Sequence, residues 1–540
     1  MVENGKAVGT DKAPKGLVPD SAVLGKFIIN NAVVVDKTSL IRQLFDSDIS
    51  TYFLSRPRRF GKTLLLDTIQ NIAEGNKAFF IEMEIGKDDS GYSWETYPVI
   101  RLDFAGLPHE PKDFKRKLRD RLDKIISLHD LGIRPVKNVN DIDKIIGKLS
   151  VKHPPFSKMA KNPSTIRNSP ANVVLLIDEY DFPLLGNISN SDRTDKIREI
   201  LHEFYSTIKH CENMLRMTFI AGILKFSKLS IFSGLNNIVD ISLNPDYSAI
   251  CGFTEDEIKS NFSDHMLLAL PHLEKSGQFP EGSDVKFFLD QLKDWYDGYS
   301  FGKDKPNVYN PFSVTNCLSN RCSDYYWYYS GTSLAACKFR HMADIYFKIL
   351  SRDLNIKETL GSVIDIKDLT IESLLFQTGY LTIDNSADKI DNSADNIGNT
   401  IINDKKSDKA PVKATVNVNV ITYKLKCPNN EIFFALIQDF IRMDSPFPGL
   451  HGSINKIYSS FVNSFNSLNA YECERTFSSF LGLSAPTLNN LNETTFQNLL
   501  LCLLNILRVR LNVIIWAIVP GVRNQCKNPD LVFLCHDSLP

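Results

Sequence analysis

No Cys-x-x-Cys pair and no His/Cys cluster occurs in these 540 residues; the ten cysteines are scattered from Cys211 to Cys535. That spacing excludes the usual structural zinc patterns and a disulfide scaffold. The thiols read as reduced, which places the chain inside the cell, in cytoplasm or nucleus. A sizeable net charge is also lacking: 62 basic residues face 63 acidic ones, so no global field draws the chain to nucleic acid or to an anionic membrane. The polar start, MVENGKAVGTDKAPKG, has no apolar core of the kind a secretory signal needs, and residues 1–24 read as a disordered leader. Nor is there an unbroken apolar span. Leu499–Val519 has the length of one but carries Asn505, Arg508, Arg510 and Asn512, so it reads as a buried helix followed by a buried strand, and no membrane partner is expected.

Against those absences stands a regular alternation. The length predicts two or three domains. Over residues 25–250, short β-branched runs at Tyr52–Leu54, Pro98–Phe104, Val173–Ile177, Met217–Ala221 and Ile238–Leu243 alternate with helical segments, the pattern of an α/β parallel sheet. A charged helical stretch, Lys112–Ser150, is followed by a Pro/Ser/Lys-rich loop, His153–Pro170. Thr254 and Glu257 form a capping box that opens a helical region over 251–383. That region closes on Leu375–Ile383, a helix end passing through Gly379 into a strand. Asp384-Asn385-Ser386-Ala387-Asp388 recurs as Asp391–Asp395, so residues 384–413 read as a disordered polar insertion. Residues 414–540 are set apart as an α+β C-terminal region.

The chemistry is concentrated at two places in the first segment. Strand Thr51–Ser55 leads through Arg56-Pro57-Arg58-Arg59-Phe60-Gly61 into Lys62-Thr63 and a helix with Leu65, Ile69 and Ile72 on one face. A loop between strand and helix can cradle phosphates: Gly61 and the helix amides converge on them, Lys62 neutralises their oxygens, and the Thr63 hydroxyl binds Mg2+. Glycine is missing where such loops normally begin. Arg56 stands there, Pro57 fixes φ and removes a donor, and Arg58 and Arg59 can add charge-assisted contacts to the phosphates. Alone, Gly-Lys-Thr also reads as a helix start with a solvated lysine. The second place shifts the balance: the apolar run Val173–Ile177 ends in Asp178-Glu179, which puts two carboxylates at the edge of a sheet where α/β ligands bind. There Asp178 would hold Mg2+ and Glu179 would polarise an attacking water. ATP and Mg2+ are therefore the expected cofactors.

These residues belong to a wider pattern. Val35–Thr38, Leu54–Thr63, Tyr97–Ile100, Leu176–Asp181, Lys225–Ser227, Cys251–Thr254, Tyr296–Phe301, Tyr309–Ser313 and Gln377–Leu381 together resemble the AAA-ATPase-like family, whose members carry an Arg-Pro-Arg-Arg-Phe-Gly-Lys loop. The resemblance implies a P-loop NTPase fold of the ASCE type, with a polar sensor at the end of the fourth strand. Ala221 occupies the place where a threonine is expected, and Lys225 is the candidate stand-in. Asp36 reads equally as a residue beside the adenine and as a helix cap. The aromatic runs Tyr296–Phe301 and Tyr326–Tyr328 read as buried packing rather than as a stacking platform for nucleic acid.

The resemblance also implies a restriction-endonuclease-like fold at the C-terminus. Glu493 and Asp530 would be two of its acids, but no Glu-x-Lys follows, so a truncated domain without nuclease activity is expected. The favoured function is Mg-ATP binding with slow hydrolysis, coupled to a protein partner that the residues do not identify. Two alternatives remain: an ATP-regulated DNA-acting protein, and a non-enzymatic interaction protein with a relic P-loop.

Overall fold

Parallel strands can be joined only by long crossovers, so alternating strands and helices dictate a sheet layered with helices. The computed structural model describes residues 14–152, 172–187, 190–225, 231–232, 235, 237–302, 304–330, 354–357, 370–385 and 422–436. The chain divides into two compact units: one comprises Met1–Trp327 with Leu354–Asn429, the other Tyr328–Asp353 with Asn430–Pro540.

In the first unit, helices α1 (Leu24–Ile29) and α2 (Thr38–Asp46) precede strand β1 (Thr51–Ser55), and α3 (Lys62–Ala73) follows it. Then come β2 (Val99–Asp103), α4 (Pro111–Leu128), α5 (Ile142–Lys152) and β3 (Val173–Asp178). The short α6 (Phe182–Leu185), α7 (Ser191–His210), β4 (Leu215–Gly222) and β5 (Val239–Asp240) complete the sheet. All five strands are parallel, in the order β2-β3-β4-β1-β5, so β4 lies between the strand that leads into the arginine loop and the strand that ends in the acids. This is an α/β architecture consistent with a P-loop-like domain. Every residue of β3 is buried, as a strand covered on both faces requires.

Around the sheet, two boundaries differ from the sequence reading and the charged helical stretch divides, each for a local reason. The leader does not run to residue 24 as an unstructured segment: the Gly16 amide donates to the Asn31 carbonyl, the Val33 amide donates to Gly16, and a ring nitrogen of His265 lies 2.7 Å from the Lys15 carbonyl. The charged stretch 112–150 is two helices, because Asp130 and Gly132 take left-handed backbone and Asn138 with Asp141 builds a new cap. The fifth strand is only two residues long, because the Asp240 carboxylate accepts the Ser242 amide and turns the chain.

After the sheet, the capping box forms as expected: the Thr254 hydroxyl accepts the Glu257 amide, and the Thr254 amide donates to the Glu257 carboxylate at 2.7 Å. Glu257 also pairs with Lys37 at 2.5 Å. Helices α8 (Glu255–Lys275), α9 (Val285–Tyr296) and α10 (Pro311–Asn320) close around Phe262, Met266, Phe288 and Val314. The turn α11 (Tyr326–Tyr329) precedes a three-stranded antiparallel sheet, β6 (Leu354–Lys357), β8 (Thr422–Lys426) and β7 (Thr382–Ile383), and α12 (Ile371–Thr378) leads into β7 through Gly379 at φ 94°. Strand β8 thus lies in the first unit, paired with β7, although the sequence reading set 414–540 apart. Its Thr-Tyr-Lys-Leu-Lys alternation is a weak signal because, of its described side chains, only that of Leu425 is buried.

Of the second unit, only residues 328–330 and 430–436 are described; there Tyr328 and Phe434 meet edge to face at 6.3 Å. The loop His153–Pro170, most of the insertion 384–413, Leu499–Val519, Glu493 and Asp530 lie outside the described residues. Among the described residues no helix is long and apolar enough to cross a membrane.

One buried charge in the helical region should tune stability. Asp297 ends α9, and its Oδ1 has no hydrogen-bond partner among the described residues. Burial, helped by the Glu255 charge and opposed by the Gly298 amide, Lys293 and Lys426, pushes its pKa up from 3.8 to about 6. Its ionisation therefore costs folding free energy. The cost is absent below about pH 4, grows to about pH 6 and is constant above. Asp297→Asn is expected to raise stability at pH 7 by about 3 kcal/mol and to give no gain near pH 3.5. Thermal melts at the two pH values check this; equal melting temperatures at pH 7 would show that the buried carboxylate is solvated in a way its burial does not suggest.

Candidate functional site

The site begins where β1 stops. Arg56 does not point into solvent. It is wholly buried, its Nη1 donates to the carbonyls of Ser55 at 2.9 Å and Ser242 at 2.6 Å, and its Nη2 donates to that of Tyr247 at 3.2 Å. Its guanidinium lies 4.0 Å over the Phe301 ring, and burial lowers its pKa to about 10. The arginine thus does by anchoring what glycine does by conformational freedom: it fixes the path of the loop.

The rest of the loop is gripped residue by residue. Pro57 packs on Gly379, where an added Cβ would come within 2.7 Å of the proline. The Arg58 carbonyl accepts the Trp327 indole N–H at 3.3 Å. Phe60 is buried edge-on between Tyr299 at 4.7 Å and Phe301 at 5.5 Å. Among the aromatic runs singled out in the sequence, Tyr299, Phe301 and Trp327 therefore serve as packing around the loop. Arg59 is exposed, with left-handed backbone at φ 65°, and its guanidinium sits 4.5 Å over the Phe312 ring.

Gly61, at φ 90°, starts α3 without any side-chain cap, and a Cβ there would meet nothing within 4 Å. The first amides of α3 therefore have no acceptor within the helix and no side-chain cap from Gly61, the general condition under which a helix start can take an anion. Lys62 is buried, and its ammonium donates to the carbonyls of Arg56 and Pro57, each at 2.9 Å. Burial lowers its pKa, while the charges of Glu179, Asp178 and Asp181 oppose that shift. Thr63 follows, half-buried, its carbonyl accepting from Arg101 at 3.2 Å.

The acids converge from the neighbouring strands. Register sets Asp103 of β2 beside Asp178 of β3. Asp178 is buried, accepts the Glu179 amide at 3.1 Å and lies 3.7 Å from Arg101, which also reaches Asp67 at 3.8 Å. Burial raises the Glu179 pKa, the Lys62 charge opposes the rise, and Asp181 and Asp178 add to it. Burial likewise raises the pKa of Asp103 and Asp181. The structure thus brings Lys62, Asp178 and Glu179 together, with Gly61 and Thr63 flanking the lysine. It adds Arg101, Asp103 and Asp181, to which the motifs assigned no role.

Two sequence candidates are committed elsewhere. Lys225 pairs with Asp240, while its amide donates to Gln377 at 2.8 Å. The Asp36 carboxylate accepts the Thr38 amide at 2.8 Å and the Glu84 amide at 2.7 Å; the N-cap of α2 is Lys37, so Asp36 holds the first amide of that helix from one residue further out. Ala221 is buried at the end of β4 beside Leu54. Among the described residues no three His, Cys, Asp or Glu side chains are grouped to hold a metal ion.

Comparison with known proteins extends the pattern. A family described as "Predicted AAA-ATPase" matches residues 24–232. An Azotobacter chroococcum mcd 1 protein described as "Uncharacterized protein in vnfD 5'region" is 32% identical over 355 residues, covering 65% of this chain and 60% of that protein. No solved structure matches.

Proposed function

We propose, from the premise that residues 24–232 match a predicted AAA-ATPase family, that this segment binds ATP with Mg2+ and hydrolyses it slowly. The observation that carries the reading is the convergence of an uncapped helix start, a buried lysine and two strand-end carboxylates at one edge of the parallel sheet. The amides of α3 and Lys62 would take the phosphates, and Arg58 and Arg59 would add charge. Thr63 and Asp178 would hold Mg2+, which supplies charge neutralisation at the phosphates when bound. With two protein oxygens on offer, phosphates and water would complete its shell, the arrangement Mg2+ prefers. Glu179 would accept a proton from water. Its raised pKa keeps it a better acceptor than an exposed carboxylate.

Calorimetric titration of the full chain with ATP and Mg2+ tests the proposal: saturable binding supports it, and a flat titration at millimolar ATP would leave the loop as a structural feature only. Glu179→Gln keeps the shape and removes the base, so ATP affinity should hold while phosphate release slows by about 10²–10⁴-fold. Equal turnover in variant and wild type would remove Glu179 from that role. Arg59→Ala should weaken ATP more than AMP, by roughly 1.5–3 kcal/mol, the range of a charged hydrogen bond. Equal losses for both nucleotides would confine Arg59 to its stacking on Phe312.

A further inference from the structure

Asp181, in the turn after β3, reaches across to the end of β4. It lies three residues beyond Asp178 and is wholly buried, with Oδ2 accepting the amides of Ile223 at 3.0 Å and Leu224 at 2.6 Å. Those two residues directly follow β4. Beside it, the Tyr180 amide donates to the Ala221 carbonyl at 3.2 Å, and the Tyr180 hydroxyl donates to the Leu224 carbonyl at 2.6 Å. Four hydrogen bonds therefore join the turn after β3 to the end of β4. Gly222 permits this approach, since a Cβ there would fall 2.5 Å from the Tyr180 ring and 2.7 Å from Asp181 Oδ1.

Between Asp178 and Tyr180 stands Glu179, with backbone at φ 48°. A non-glycine residue holds a left-handed conformation only when its surroundings over-determine it. Here they do, because both residues that follow are pinned to β4. The pinning also answers what β4 lacks: its own last side chain before Gly222 is Ala221, which has no polar atom to hold the site's geometry.

We infer that Asp181 is the positioning residue of this site: its carboxylate locks the turn after β3 to the end of β4 and so keeps the Glu179 backbone left-handed, with the Glu179 charge in reach of those of Lys62 and Asp178. The effect on turnover rests on the nucleotide reading. The lock itself is a property of the protein without nucleotide, so its test has a readout independent of activity.

The experiment compares full-length wild type, Asp181→Asn and Asp181→Ala by amide hydrogen exchange at Ile223 and Leu224 without nucleotide, and by calorimetric ATP affinity and phosphate release with Mg2+. Asp181→Asn retains an oxygen able to accept both amides and is expected to stay near wild type in all three. Asp181→Ala is expected to exchange roughly tenfold faster at both amides, to turn over roughly tenfold more slowly and to bind ATP within about threefold of wild type. Wild-type exchange in the Ala variant overturns the lock, and fast exchange with wild-type turnover overturns the positioning role. If Asp181→Ala does not fold, Asp181→Asn decides: a tenfold loss of turnover with unchanged exchange would mean that the charge matters and not the lock. A wild-type chain that binds no ATP defeats the nucleotide reading, and the positioning role with it, while the exchange data still settle the lock.

Discussion

Lys62→Ala is expected to abolish measurable ATP binding. Lys62 is the buried cation at the start of α3, and among the described residues its ammonium donates to two neutral carbonyls of its own loop. Phosphate oxygens are stronger acceptors for that ammonium than peptide carbonyls, so exchanging one for the other is favourable where the lysine is already desolvated. Losing the charge removes at least one charge-assisted bond and takes away the lysine charge that opposes those of Glu179, Asp178 and Asp181 where the phosphates would arrive. Two such effects of about 2 kcal/mol each correspond to a loss of about a thousandfold in affinity. The same carboxylates make some loss of stability unavoidable. Lys62→Gln, which keeps length and a donor, should therefore melt closer to wild type while still failing to bind. Calorimetry with both variants checks the expectation, and ATP affinity in Lys62→Gln within threefold of wild type would defeat it.

The parts of this site that could be read from sequence are those that lie close along the chain. Thr51–Ser55, Gly61-Lys62-Thr63 and Val173–Glu179 are contiguous strings in which strand, turn and helix chemistry agree, so strand ends and lysine could be placed without knowing the sheet order. Asp103 and Arg101 could not be assigned, because their place beside Asp178 follows from strand register, and one residue of slip would turn them to the other face. Asp181 stood only at the end of the Leu176–Asp181 match, with no role assigned; its role depends on β4 ending within hydrogen-bond reach, which no local pattern encodes. Strand β5 was overestimated because Ile238–Leu243 has strand composition throughout, and only the bonding of Asp240 and Ser242 shows where pairing stops. Proximity of Arg58 and Arg59 to the glycine made them the natural phosphate ligands. The arginine that the fold uses most heavily is the one further from it.

Arg56→Ala is expected to be the most destabilising single change in the loop, at about 3–5 kcal/mol, and to impair nucleotide binding only as a consequence. Its guanidinium donates to three carbonyls, two of them 186 and 191 positions later in the chain, and it covers the face of Phe301. Truncation would strip donors from buried carbonyls and open a cavity beside Phe60 and Phe301. No other described charge pairs with Arg56 at salt-bridge distance, so its burial is compensated by neutral dipoles and a ring face, an arrangement that suits the planar guanidinium and not a lysine ammonium. Arg56→Lys should therefore recover little of the loss, in contrast to a surface position, where the two residues exchange freely. Denaturant unfolding of wild type, Arg56→Ala and Arg56→Lys tests both statements. If Arg56→Lys is as stable as wild type, the fork geometry is irrelevant. If Arg56→Ala is as stable as wild type but cannot bind ATP, Arg56 belongs with the phosphate ligands and the loop's path is set by Pro57 and Phe60 instead.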